Sequence, residues 1–150
     1  YYILSYMFNT AKIKVRKQFN ANYFELLDFM RSLIISIEKE KLFKTFYNKN
    51  LMLKKANPCF FIQKWYISIS IPYHKEILSD NIDFFLKKEN YLENITQDEV
   101  VSSSDINKFK IEKYLQSCIL DFDKLDENKK IYLINSIKNL TMLSILYYKK

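Results

Sequence analysis

Not one of the 150 residues is glycine. Loops that wrap a phosphate depend on glycine for positive φ or for close backbone approach. A P-loop, a dinucleotide fingerprint, a kinase glycine loop, an EF-hand and the glycine-bearing RNA modules therefore cannot be written from this chain. Histidine is nearly absent too: His74 stands alone, with two cysteines, Cys59 and Cys118. No His-x-x-x-His or Cys-x-x-Cys spacing exists, so a Cys/His zinc site is excluded and neither metal nor cofactor is expected. The cysteines lie far apart in apolar stretches and read as small buried hydrophobes in a reducing compartment, not as a bridge. No apolar run reaches the ~18 residues of a membrane span. Cys59–Ile71 is interrupted by Gln63 and Lys64 and Leu140–Tyr148 is short, so a soluble chain is expected.

Ala and Arg are scarce, whereas Ile, Lys, Asn, Phe and Tyr fill more than half the chain. All five have A/T-rich codons, so genome bias accounts for much of the Lys excess. The charge is nonetheless present: net +7, with eleven Lys/Arg against four Asp/Glu in residues 1–57 and a net negative stretch at 58–104. Such a field attracts nucleic acid, anionic membrane or acidic protein without specificity. The candidate nucleic-acid contacts are Lys12, Lys14, Arg16, Lys17, Lys54 and Lys55. With few arginine forks they would read phosphate charge and not base sequence.

The chain opens on an apolar run, Tyr1 to Tyr6, without the positive flank of a secretory signal. A chain that opens on Tyr reads either as a fragment or as a reading frame extended by residues 1–6 upstream of a true start at Met7. Lys12, Lys14, Arg16 and Lys17 alternate with Ile13 and Val15, a period-two pattern of a short strand or of an arm that orders on binding. This sets residues 1–18 apart as a basic segment from a single helical domain at 19–150. Tyr23, Leu26/Leu27, Met30, Leu33/Ile34 and Ile37 recur at helical spacing behind a cap at Asn20 or Asn22. A basic helix is expected over 41–55, burying Leu42, Phe43 and Phe46 with some of Leu51, Met52 and Leu53. Asn57-Pro58 signals another helix start, leading to the stripe Phe61, Trp65, Ile69. Ile67–Ile71 alternates like a strand, but the capped start favours helix, kinked or ended at Pro72. Beyond it the sequence predicts a short helix over 83–86, a connection over 87–104, and a helix from Asp105 with the stripe Ile111, Leu115, Cys118/Ile119, Phe122. A final helix follows Leu125-Asp126 with Leu133/Ile134, Ile137 and Leu140 inward. The expected fold is all-α, an irregular bundle of five or six helices with a short extended N-terminal segment.

Few of these residues carry chemistry. A nucleophile pair of Cys59 or Cys118 with His74 is disfavoured, because the cysteines fall on apolar helix faces and His74 at a helix break. Asp121, Asp123, Asp126 and Glu127 cluster, but between helices and not on rigid neighbouring elements as Mg²⁺ chemistry needs. Asp126 and Glu127 suit a helix start. Phe and Tyr interleaved with Lys suit a single-strand groove, yet on a helical stripe they read as core. No enzyme is expected.

Lys54-Lys55-Ala56-Asn57-Pro58, Trp65, Pro72-Tyr73, Ile82-Asp83-Phe84-Phe85-Leu86 and Leu125-Asp126-Glu127-Asn128-Lys129-Lys130, with the aromatic-aliphatic helix after them, occur in this order over Phe19 to Tyr147. In that order the chain resembles small uncharacterised helical proteins encoded by giant DNA viruses of eukaryotes. The resemblance implies a viral source, a helical fold and a host-cytoplasm or virion setting, and supplies no catalytic residue. The expected role is that of a non-enzymatic interaction or virion-associated protein with a protein partner; the alternative is a sequence-nonspecific nucleic-acid-associated protein using its basic N-terminal third.

Overall fold

The computed structural model describes residues 2–34, 37–79 and 124–149, and all of its regular structure there is helical. In chain order the elements are α1 (Tyr2–Ser32), α2 (Ile37–Ala56), α3 (Phe60–Trp65), a π-helical turn (Tyr66–Ser70), α4 (Ile71–Leu78) and α5 (Glu127–Tyr148). As α3, the π turn and α4 are continuous, they form one rod, giving four helices among the described residues. The helices expected over 83–86 and from Asp105, the connection between them, Cys118, Asp121 and Asp123 lie outside the described residues. The fold class is all-α, as expected.

The extended N-terminal segment is not found. Residues 12–17 belong to α1, which runs unbroken through Met7 and past residue 18. Over six residues an alternating pattern also fits a helix, and what decides is continuation: Val15 and Arg16 open a three-to-four series through Phe19/Asn20, Tyr23/Phe24, Leu26/Leu27 and Met30, most of it buried. Asn20 is consequently no cap. It lies mid-helix, 4% exposed, and its Nδ2 donates to Pro58 O at 2.9 Å. Asn22 Oδ1 instead accepts from Gln18 Nε2 one turn back.

α2 runs antiparallel to α1. Tyr23 reaches Asn50, Phe24 lies edge-on to Tyr47, and Arg31 Nε meets Glu40 Oε1 at 2.7 Å where the two helices join. Phe43 and Phe46 are buried as expected, but Leu42 (66% exposed) and Met52 (71%) face outward and Leu51 is exposed. Asn50 takes a buried place in that face, because the phenol of Tyr23 supplies its hydrogen-bond partner.

The rod begins slightly later than Asn57-Pro58 suggests. Asn57 Oδ1 accepts from Cys59 N and its carbonyl from Phe60 N, so an Asn turn feeds the helix whose first residue is Phe60. Phe61, Trp65 and Ile69 are buried, the stripe read from the sequence. Pro72 does not end the rod. Proline lacks an N–H and its ring crowds the carbonyl four residues back, and the chain meets this by widening its ladder just before it, with Ile71 N–H bonded to Tyr66 O five residues away.

α5 starts where Asp126 predicts it. The Asp126 carboxylate accepts from Lys129 N at 2.8 Å, and Leu133, Ile137 and Leu140 point into the core. Lys12 over Tyr147 and Phe29 against Tyr132 show that α5 is antiparallel to α1. The core is an aromatic stack: Tyr23 on Phe61 at 4.6 Å, Phe24 edge-on to Phe61, and Phe19 edge-on to Trp65. Where the rod crosses α5, small hydroxyls let the backbones approach. Ser144 Oγ donates to Thr141 O, so Ser70 Oγ must donate to Ser144 Oγ at 2.5 Å. Trp65 Nε1 donates to Thr141 Oγ1 at 3.1 Å. No described residue has positive φ.

Candidate functional site

The six basic residues singled out from the sequence divide into three groups. Lys12 and Arg16 turn inward and are half-buried: Lys12 Nζ lies 5.1 Å from the centre of the Tyr147 ring, and Arg16 Nη1 is 3.9 Å from Cys59 Sγ. Lys14 is exposed and stands about 160° round α1 from Arg16. Lys17 is exposed on the side of α1 that faces α2, where Lys54 Nζ covers the Phe24 ring at 5.2 Å and Lys55 is exposed. They share one end of the bundle but make no single face. The reason is that α1 is helical there, so neighbouring cations rotate apart.

Around Arg16 three elements converge. Cys59 caps the start of α3, half-buried and not deep in the core as expected, and its sulfur is 3.5 Å from the Tyr147 hydroxyl near the end of α5. Tyr148 stacks on Tyr66 at 4.3 Å and edge-on against Tyr147. The hydrogen bond with Cys59 and then burial push the Tyr147 phenol up to about 12. Burial first, then Cys59 and Tyr66, also raises Tyr148. These phenols stay protonated at neutral pH and serve as hydrogen-bonding and stacking groups, not as bases. Beneath them, Arg16 Nε and Asn20 Oδ1 are buried without a hydrogen-bond partner, one a donor and one an acceptor, a single helical turn apart.

The described residues do not bring Cys59 together with a general base. His74 is fifteen residues along the rod from Cys59, roughly 20 Å of helical rise, and its Nδ1 is bonded to Ser70 O. The Cys59–His74 pair is thereby excluded by distance. Among the described residues no three His, Cys, Asp or Glu side chains converge on a metal-sized space. On the far side of α1 and α5 lies an open cleft of about 530 Å³ lined by Asn22, Glu25, Asn128, Tyr132, Asn135 and Asn139, among others. Among the described residues Glu25 is its one carboxylate, and they place no acid–base pair there.

Sequence reasoning missed Tyr147, Tyr148 and Tyr66, because residues 59, 66 and 147 meet only through the tertiary fold. The available signal was the doubled tyrosine ending a helix whose core stripe is itself legible. No protein-family model, curated protein or solved structure matches the chain.

Proposed function

We propose that the chain is a non-enzymatic interaction domain that docks a protein partner, built as an all-α bundle of five or six helices in a host-cytoplasm or virion setting. The observation that carries this is the outward face of the rod. Ile67, Ile71 and Leu78 are exposed there at spacings of four and seven residues, with Lys75 between them. Apolar anchors at helical spacing on a solvent face are what an amphipathic partner helix or groove recognises. The stripe lies back to back with the buried Trp65–Ile69 face, so the core holds it rigid. Partner capture with wild type and Ile67→Lys/Ile71→Lys, followed by chromatography of the purified complex, tests it. A partner retained by wild type and lost by the variant is expected. A protein whose captured partners are the same for both would end the reading.

The second reading, nonspecific nucleic-acid binding, is favoured by exposed Lys17, Lys54 and Lys55 on the α1–α2 side. It is weakened because Lys12 and Arg16 already engage Tyr147 and Cys59. Lys17→Ala/Lys54→Ala/Lys55→Ala should flatten the salt slope of binding by roughly 0.7–0.9 for each phosphate that is no longer neutralised. Absence of binding by wild type at ~50 mM salt would remove it.

A further inference from the structure

The two longest described helices, α1 and α5, border the open cleft of about 530 Å³. No described helix is long and apolar enough to cross a membrane. Along α5 the positions 128, 132, 135 and 139 fall within about 60° of one another, so Asn128, Tyr132, Asn135 and Asn139 form one stripe about 16 Å long. Asn22 and Glu25 line the cleft from α1. The carboxamides of Asn128, Asn135 and Asn139 have no hydrogen-bond partner among the described residues. Asn22 Oδ1 accepts from Gln18 Nε2 at 2.8 Å, which leaves its Nδ2 to donate. Phe29 packs against the Tyr132 ring at 4.6 Å and fixes it, yet Tyr132 remains 39% exposed.

This lining takes asparagine without lysine. The codon bias that favours Asn favours Lys equally, and the chain carries 24 Lys and Arg, yet among the described residues none of them lines the cleft. Glu25 is the one charged group of the described lining, so a phosphate, a nucleic-acid strand or an anionic headgroup finds no counter-charge in it. What the lining suits is a neutral ligand rich in hydroxyls. A carboxamide offers a donor and an acceptor in one plane, which two neighbouring hydroxyls of a sugar satisfy together, and a carboxylate accepts from two hydroxyls at once. The Tyr132 ring and Ile131 add an apolar patch on which the C–H face of a pyranose can lie. The volume is within the roughly 300–1,000 Å³ of small-ligand clefts. An extended peptide also pairs with carboxamides, but it presents equivalent groups about every 6.7 Å, two residues of strand. The rise of roughly 10.5 Å from Asn128 to Asn135 is no multiple of that spacing.

We propose that the cleft between α1 and α5 binds a neutral oligosaccharide, with Tyr132 as its stacking platform and Asn22, Glu25, Asn135 and Asn139 as its hydroxyl partners. The site shares no residue with the exposed Ile67–Ile71 face of the rod. The probes are short oligomers of glucose, mannose, galactose and N-acetylglucosamine, measured by saturation-transfer NMR and calorimetry. They are offered to wild type, Tyr132→Ala, Asn135→Ala/Asn139→Ala and Ile67→Lys/Ile71→Lys. Wild type should bind at least one of them with an affinity that hardly changes between ~50 and ~200 mM salt, since no ion pair forms. Tyr132→Ala should weaken this at least tenfold, and the Asn135/Asn139 variant roughly tenfold through two lost hydrogen bonds. The Ile67/Ile71 variant should bind as wild type does, so that loss of the protein partner and loss of the sugar are read separately. Asn135 and Asn139 are exposed and alanine favours helix, so circular dichroism of that variant should be unchanged, and it decides the matter even where Tyr132→Ala unfolds. No binding of any of the four sugars, or binding that the Asn135/Asn139 variant retains in full, overturns the proposal. So does a neutral extended peptide that binds in the sugars' place and is lost with the same two residues, which would assign the cleft to a peptide. Loss of helix in the Asn135/Asn139 variant would show those side chains to be structural and also overturn it.

Discussion

Tyr23 and Asn50 join α1 to α2 through a buried hydrogen bond, the phenol donating to Asn50 Oδ1 at 2.8 Å while Asn50 Nδ2 donates to Phe46 O at 2.7 Å. Both residues are at most 1% exposed. Cutting one partner leaves the other desolvated and unpaired, which costs about 1–3 kcal/mol, whereas removing both costs less than the sum. Urea unfolding of Tyr23→Phe, Asn50→Leu and the double variant should therefore show a coupling energy of about 1 kcal/mol or more. Strict additivity would mean that the pair does not interact.

Trp65 provides a second check on the core. Buried against Phe19 and bonded to Thr141, it should emit at blue-shifted wavelengths and resist iodide quenching. Trp65→Phe should cost about 1–2 kcal/mol through the lost bond and volume, and Trp65→Ala about 3–5 kcal/mol. Solvent-like emission from the native protein would place this side chain on a binding surface instead.

Alkaline pH should act on the Tyr147 cluster. A phenol held above its ordinary value of 10.0 binds its proton more tightly in the folded chain. Its stabilising contribution is full below pH 10 and is lost as pH rises through about 12. Tyr148 and Tyr47 shift in the same direction. Stability measured by denaturant should fall across this window, and Tyr147→Phe should make the fall shallower. An identical pH profile for the variant would refute the assignment to Tyr147.

Asp126 tests local encoding. Replacing it by Ala removes the acceptor for Lys129 N and should cost about 1 kcal/mol, and Asn should recover most of it. A neutral Asp126→Ala would mean that α5 starts without its cap.

How far the sequence reveals the structure depends on whether a signal is local. Asp126, the Phe61–Trp65–Ile69 stripe and the Leu133–Ile137–Leu140 stripe are legible because capping and helical periodicity act over a few residues. The Lys12–Lys17 segment misleads because six residues cannot separate a period of two from one of 3.6, and charge contrast hides the series continuing through Phe19 and Tyr23. Pro72 misleads for another reason: whether proline ends a helix depends on what the preceding turn can absorb. Asn20 reads as a helix cap and Asn50 as an ordinary polar helix position until Pro58 and Tyr23 are known as their partners. The meeting of Arg16, Cys59 and Tyr147 spans 88 residues between its last two members, and no pattern within one helix contains it.

The described backbone holds every residue in a conformation open to any L-amino acid, since none has positive φ and the break in the rod's ladder comes from a widened turn. A fold that relies on left-handed residues carries positions where mutation is vetoed by backbone geometry. Here that veto is absent, and what the described helices ask of most sites is only polarity and approximate size. Such an architecture can follow a drifting nucleotide composition, exchanging alanine, arginine and glycine for lysine, asparagine and isoleucine, without losing its turns.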